Sequence, residues 1–356
     1  MAKRFCINQL NQIRKQGLRL LILLFFPGLI SAQTSEDVRL VKSENEAGID
    51  VYVGSSLFTR FIYPDSLEKP VLFPIYDAAQ VPVTRGFPKD PRPGEPTDHP
   101  HHIGLWFTYE NVNGLDFWNN SYAIPPEKKP LYGWIKTDRI LNISDGKIGL
   151  LSYHANWVNQ QKDILLEETT RYEFSGNGQE RTIDRITKLM AVTDITFTDA
   201  KDGMLGIRLA HELQIPGNQD HQFEDNKGNK THVVKDTTAT GNYLTSEGKK
   251  GDSAWSTRAA WCKVFGKIGK DSVSVTIFDH PSNPNYPTFW HARGYGLFAA
   301  NPLGEKIFTQ GKSALNLKLK KGESIVFRYR ILIQNGNITP NADDLNQILK
   351  SFSNKF

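Results

Sequence analysis

Apolar and polar residues alternate with a period of two along most of the chain, the pattern of strands that bury one face. Residues 50–53, 57–63 and 71–76 are short strands separated by turn residues. Residues 135–142 and 148–157 form a hairpin about Asp145-Gly146, a dipeptide that accepts the positive φ of a tight turn. A longer hairpin, 163–174 with 180–192, closes about Gly176-Asn177-Gly178. Residues 205–213, 261–265, 272–280, 289–300 and 324–334 return to the strand pattern. One helix is predicted, over 339–356. Leu345, Ile348, Leu349 and Phe352 make its apolar stripe, Thr339 is its cap, Pro340 its first residue, and Asp343 and Asp344 suit its positive start. Long antiparallel strands with so little helix predict an all-β fold, a large antiparallel two-sheet β-sandwich over residues 33–338 with one C-terminal helix packed on it.

Three stretches break the pattern. Residues 85–100 carry Pro88, Pro91, Pro93, Pro96 and Pro100 with Gly86 and Gly94. Proline fixes φ and removes a donor, so this is an ordered, extended loop rather than a strand. Residues 214–253 are rich in Gly, Asn, Asp, Lys and Thr and read as a polar excursion from the sandwich. Residues 1–32 read as an export signal. Lys3, Arg4, Arg14, Lys15 and Arg19 precede an apolar run of 11 residues, 20–30, and Ser31-Ala32 offers a small-residue cleavage site. Such a run suits a signal better than a bilayer span of about 20 residues, although an uncleaved anchor is the alternative.

Cleavage changes the charge picture. It removes five basic residues and no acidic ones, leaving 38 of each, so the pI near 8.9 belongs to the leader. Nothing then calls for nucleic acid or an anionic membrane as partner, and no integral span remains. Cys262 is the one cysteine left, so an exported, periplasmic or secreted protein must rely on its core instead of disulfides.

Candidate chemistry gathers in two places. The first is Asp98-His99-Pro100-His101-His102-Ile103-Gly104-Leu105-Trp106, continued by Asn113-Gly114-Leu115-Asp116-Phe117-Trp118. Histidine titrates near neutrality and binds metals. His99 and His101, two apart, could share a face and begin a divalent-metal site; otherwise no cofactor is indicated, and the rings alternatively brace the proline loop. The second is Asp279-His280-Pro281-Ser282-Asn283, followed by Trp290, His291 and Arg293, a similar chemistry on a second stiff loop. Two such loops meeting at one end of a sandwich would make an active site. Arg208 stands between Gly206 and Ala210 on its strand face, with room to grip a ligand oxygen or to pair with Glu212 or another acid. Glu168 falls on the apolar face of its strand, where burial would tune it as an acid or base unless a salt bridge holds it. Trp106, Trp118 and Trp290 could stack on sugar rings, or fill the core. P-loop, Rossmann, H-E-x-x-H and G-x-S-x-G signatures are absent.

The two long motifs, D-H-P-H-H-x-G-L-W with N-G-x-D-F-W at 98–118 and F-D-H-P-S-N-P with P-T-x-W-H-x-R-x-Y-G-L-F-A-A-N-P at 278–302, resemble the PmoA-like family of exported bacterial proteins, as does G-I-R-L-A at 206–210. The resemblance spans roughly residues 40–335. It implies a galactose-mutarotase-like supersandwich and a carbohydrate context of the kind met in polysaccharide utilisation. The leading expectation is therefore a carbohydrate-active enzyme, whether hydrolase, lyase or epimerase. A histidine among His101, His102, His280 and His291 would act with a carboxylate, Glu168 or Asp116. Arg208, Arg293, Asn283, Trp106, Trp118 and Trp290 would bind the sugar. A glycan-binding protein without catalysis and a metal-dependent enzyme using His99 and His101 are the alternatives.

Overall fold

Two eight-stranded antiparallel sheets face each other. The computed structural model describes residues 35–44, 46–217, 221–224, 230–233, 238–336 and 341–356, which fall in one unit, Thr34–Phe356. The expected export signal at 1–32, Thr339 and Pro340 lie outside the described residues.

The chain starts the first sheet with β1 (Val38–Lys42), β2 (Gly48–Val53), β3 (Ser56–Ile62), β4 (Val71–Ile75) and β5 (Leu105–Tyr109). It crosses to the second for β6 (Trp134–Ser144), β7 (Gly149–Val158), β8 (Ile164–Gly176) and β9 (Glu180–Ala191). After β10 (Ile195–Thr196) it re-enters the first sheet as β11 (Gly203–Arg208). The pair β12 (His221–Glu224) and β13 (Lys230–Val233) follows, then β14 (Asn242–Thr245), β15 (Trp261–Ile268) and β16 (Asp271–Asp279) in the second sheet. β17 (Phe289–Ala292) and β18 (Leu297–Asn301) return to the first, the short α1 (Glu305–Phe308) follows, β19 (Lys318–Leu319) pairs with β10, and β20 (Ser324–Asn335) enters the middle of the second. The sheet orders are β1-β2-β3-β4-β5-β11-β18-β17 and β14-β15-β16-β20-β9-β8-β7-β6.

The alternating residues meet between the sheets. Phe61 stacks on Tyr153 at 4.6 Å, and Phe107 meets Trp157 and Phe327 edge-on at 6.4 and 5.5 Å. Trp290 belongs to this core, its Nε1 donating to Ala259 O at 3.0 Å, so it cannot stack on a sugar. Glu168 is there too. It does lie on the apolar face, but as a fully satisfied buried group: it accepts from Tyr153 OH, Thr170 Oγ1 and Arg185 Nη2, each at 2.7 Å, and from Trp157 Nε1 at 2.9 Å. Four donors on one carboxylate, with Arg185 clamped under Phe107 at 4.6 Å, leave Glu168 no acid–base work.

The outer face of the second sheet is covered by α2 (Ala342–Ser353). Leu345 and Phe352 pack on Trp261, Phe278 and Leu332, as the stripe requires. The helix starts later than expected: Asn341 is its cap, with Asp344 completing a reciprocal capping box. Two other expectations change. Residues 205–213 are not one strand, because β11 ends at Arg208 and His211–Leu213 is a turn of 3₁₀ helix. Residues 289–300 are a hairpin, β17 and β18, turned at Arg293–Gly296 where Gly296 takes φ 88°.

Candidate functional site

The site is built on the outer face of the first sheet. Register puts Trp106, Gly206, Ala299 and His291 in one row across β5, β11, β18 and β17, so all four share that face. The small residues in the middle leave room. A Cβ on Gly206 would lie 2.7 Å from both Trp106 and Trp118, whose rings fill the space in a T-shaped pair at 5.1 Å. Room above Gly206 therefore exists, as the strand pattern suggested, but tryptophan occupies it. Gly206→Ala is expected to destabilise the protein by about 1–3 kcal/mol through overpacking and to shift its tryptophan fluorescence. Unchanged emission with stability within about 0.5 kcal/mol would contradict this floor.

Above the tryptophans the proline-rich loop lays down its histidines. Arg85 anchors it from beneath: Nη1 donates to the carbonyls of Pro96 (3.2 Å) and Asp98 (2.9 Å), and Nη2 to those of His99 (3.0 Å) and His102 (3.3 Å). The Asp98 carboxylate binds Arg85 Nη1 at 3.0 Å, Arg208 Nη2 at 3.0 and 3.1 Å, and His99 Nδ1. Against the cost of burial, Arg208, His99 and Arg85 hold Asp98 well below the usual carboxylate range. Burial and the neighbouring Arg208 bring Arg85 down to about 9. Arg208 thus pairs with Asp98, not Glu212. His99 itself sits at φ 47°, a conformation that costs free energy in a non-glycine residue and is tolerated because Arg85 and Asp98 fix both its ends.

The rings stack in order. His102 lies on Trp106 at 5.1 Å, His99 on His102 at 4.9 Å, Tyr295 on His99 at 5.6 Å, and His101 edges His102 at 4.2 Å. Arg208 Nη1 lies 3.2 Å from His102 Nδ1; a guanidinium only donates, which assigns the His102 proton to Nε2. That nitrogen, His101 Nδ1 and both indole nitrogens have no protein partner. Burial and His101 push His102 well below its ordinary pKa, and burial and Lys69 do the same to His101. Lys69 is buried here, donating to Trp118 O at 2.9 Å, and burial brings it down to about 8.

Acidic groups complete the face. His291 Nδ1 lies 3.2 Å from Asp202 Oδ1, an ion-pair distance whose angle falls short of a hydrogen bond. Against burial, His291 holds Asp202 low, while burial holds His291 low despite Asp202, so the pair is a carboxylate beside a neutral imidazole with Nε2 left as a base. Asp202 N donates to Glu110 Oε2 at 3.0 Å, and burial with the adjacent Asp202 raises Glu110 to about 7. Asp116 is also raised by burial, although Asn119 donates to it from N (2.9 Å) and Nδ2 (2.8 Å).

Of the residues singled out in the sequence, His99, His101, His102, Trp106, Trp118, Arg208 and His291 come together, with Asp116 and Arg293 at the edge. His280 and Asn283 do not. They follow β16 of the other sheet: His280 meets Phe352 of α2 edge-on at 5.1 Å and accepts from Ser282 N at 3.0 Å, and Asn283 ties Asp279 to the backbone of Arg328. Trp106 and Trp118 are sealed, so they floor the site and touch no sugar. No three His, Cys, Asp or Glu side chains among the described residues converge enough to hold a metal ion. His99 and His101 stand 5.6 Å apart, and no third ligand joins them among the described residues, so the pair alone does not make a metal centre. Sequence reasoning missed Lys69, Glu110, Asp202 and Tyr295. A signal existed for two of them: Glu110 shares a strand face with Trp106, and Asp202 lies in phase with Gly206 and Arg208.

Fold and site together define an antiparallel two-sheet β-sandwich that carries a polar, ionisable cluster on the outside of one sheet. By sequence the chain belongs to a family of unknown function, DUF6807, whose model matches residues 48–349. That description carries neither an activity nor the PmoA-like label. No curated protein matches the chain. Similar solved structures include the galactosidase domain of an α-galactosidase–sucrose kinase, AgaSK (9% identity, TM-score 0.38, covering 84% of this chain but only 42% of that one). A putative aldose 1-epimerase from Escherichia coli K12 gives 8% identity and a TM-score of 0.35, covering 85% and 99% of the two chains. A galactose mutarotase related enzyme from Lactobacillus acidophilus gives 9% and 0.30, covering 85% and 99%.

Proposed function

We propose that this protein is an exported carbohydrate-active enzyme that works on a sugar or glycan by acid–base chemistry on the outer face of the first sheet. The observation that carries the proposal is the convergence there of two proton carriers of opposite bias. Glu110 is a carboxyl kept near neutrality, and His291 is a neutral imidazole oriented by an ionised Asp202. A carboxyl that keeps its proton near neutrality beside an imidazole that has lost its own divides the roles of acid and base. His101 stands across the floor beside Lys69. A fold has no need of so many ionisable groups on one sheet face, since each costs free energy to bury and several lack partners. Proton removal and return at a sugar carbon or a glycosidic oxygen is the chemistry such a pair performs. The leader-like residues 1–32 support export. Edman sequencing of the protein recovered from expressing cells is expected to begin at Gln33.

A second reading, glycan binding without turnover, is favoured by one feature: His101 and His291 are only 5% and 2% exposed. An oligosaccharide screen read for both binding and product separates the two. Asp202→Asn is expected to lower kcat by about 10²-fold or more while binding stays within about threefold. His101→Ala is expected to lose turnover as well. Wild-type binding with no product from any ligand selects the second reading. Undiminished turnover in Asp202→Asn removes Asp202 and His291 from the mechanism.

A further inference from the structure

Beside His291 the rim carries a guanidinium with no counter-charge. Arg293, the residue after β17, shares the outer face with His291. Its guanidinium carbon lies 5.4 Å from the Trp255 ring and 5.8 Å from the Tyr295 ring. It makes no ion pair among the described residues, and it is half-buried between the two aromatics. This contrasts with Arg85, Arg208, Arg185 and Arg258, each of which has a carboxylate within reach. Trp255 is 37% exposed, an unusual place for indole, and is braced edge-on by Phe308, whose ring also edges His291 at 6.2 Å. Tyr295 connects the same guanidinium to His99 and, at 4.9 Å, to Arg208.

We propose that Arg293, held between Trp255 and Tyr295, receives an anionic oxygen group of the ligand, so that the protein prefers acidic glycans, uronate-containing or sulfated, over neutral ones. The inference rests on the carbohydrate reading above and adds the ligand's charge to it. A guanidinium fixed by two ring faces keeps its edge donors pointing outward, and these match the paired oxygens of a carboxylate or sulfate. Asp252, whose Oδ1 lies 3.1 Å from where a Cβ on Gly294 would sit, makes no ion pair with Arg293, and the carboxyls of the site are engaged elsewhere. Asp202 is turned to His291, and Glu110 is raised toward its neutral form. The exposed indole gives the adjoining sugar ring an apolar face to lie on.

The test is calorimetric titration of the whole protein with tetrasaccharides that differ in charge: glucuronate, galacturonate and mannuronate tetramers, their methyl esters, and sulfated and neutral tetramers. At least one acidic ligand is expected to bind about tenfold or more tighter than its neutral counterpart, with the advantage shrinking as salt rises. Arg293→Gln is expected to bring that ratio to about one, and Arg293→Lys to keep part of it, which a packing role would not do. The uronate and sulfated arms identify which anion is read. Neutral tetramers bound as tightly as acidic ones, or an unchanged ratio in Arg293→Gln, overturn the charge preference and leave the carbohydrate reading standing. Failure of every saccharide to bind wild type removes both.

Discussion

Asp98→Ala is expected to cost the protein about 3–5 kcal/mol, the largest effect of any single site substitution. Two guanidiniums, Arg85 and Arg208, are buried completely and share this one carboxylate, which also takes the His99 ring. Removing it leaves two like charges facing each other in a place that water does not reach. The damage is predicted to be local first. Arg85 holds four backbone carbonyls of the proline-rich loop, so repulsion from Arg208 loosens the segment that presents His99, His101 and His102. Urea denaturation measures the loss, and limited proteolysis within residues 86–103 at native conditions reports the loop. Asp98→Asn, which keeps the shape and one acceptor but not the charge, should lie between wild type and alanine. A loss below about 1 kcal/mol for Asp98→Ala would show that the network is an ornament of the surface rather than the support of the site.

The strands were readable because their signals are local. Asp145-Gly146 sets the β6–β7 turn, where Asp145 Oδ1 also accepts from Leu40 N at 2.8 Å, and period two reports which side of each strand meets the core. Arg208 was singled out for its small neighbours, yet the space they make belongs to Trp106 and Trp118, contributed by β5 and the segment after it. Pairing across strands decides such questions, and composition along one strand does not carry it. The same limit explains the error over His280 and Asn283. Asp279-His280-Pro281 reads like Asp98-His99-Pro100, but β16 lies in the second sheet, while the chain ten residues on has crossed to the first. Similar residues in similar loops were therefore delivered to opposite faces of the sandwich, and only the half that continues into His291 reaches the site. Glu110 and Asp202 stand 92 positions apart and adjoin through antiparallel pairing of β5 with β11, which no short motif records.

Acidification from about pH 6.5 to about pH 5 is expected to destabilise the protein, even though several raised carboxyls act the other way. His101, His102 and His291 are all held below their ordinary value, chiefly by burial. In the unfolded chain each takes up a proton near pH 6.5, which the folded protein resists, so each removes up to about 1.4 kcal/mol of stability per pH unit below that point. Asp77 and Asp116, both raised by burial, carry the opposite sign, and so do Asp279 and Glu110. Burial raises the latter two to about 7, so their contribution is present at low pH and is lost as pH rises from the ordinary carboxyl range toward 7. Asp279 keeps this weight in full because it is buried, with Asn283, Thr288 and His280 donating to it; Glu110 is half-exposed and counts for less. Three histidines against these carboxyls leave a net loss on the order of 1 kcal/mol across this interval. Urea midpoints at several pH values measure it, and His102→Gln should flatten the slope by about one proton. Stability that holds or rises toward pH 5 would mean that the histidines take up protons inside the fold, and the neutral imidazole assigned to His291 as the base would go with them.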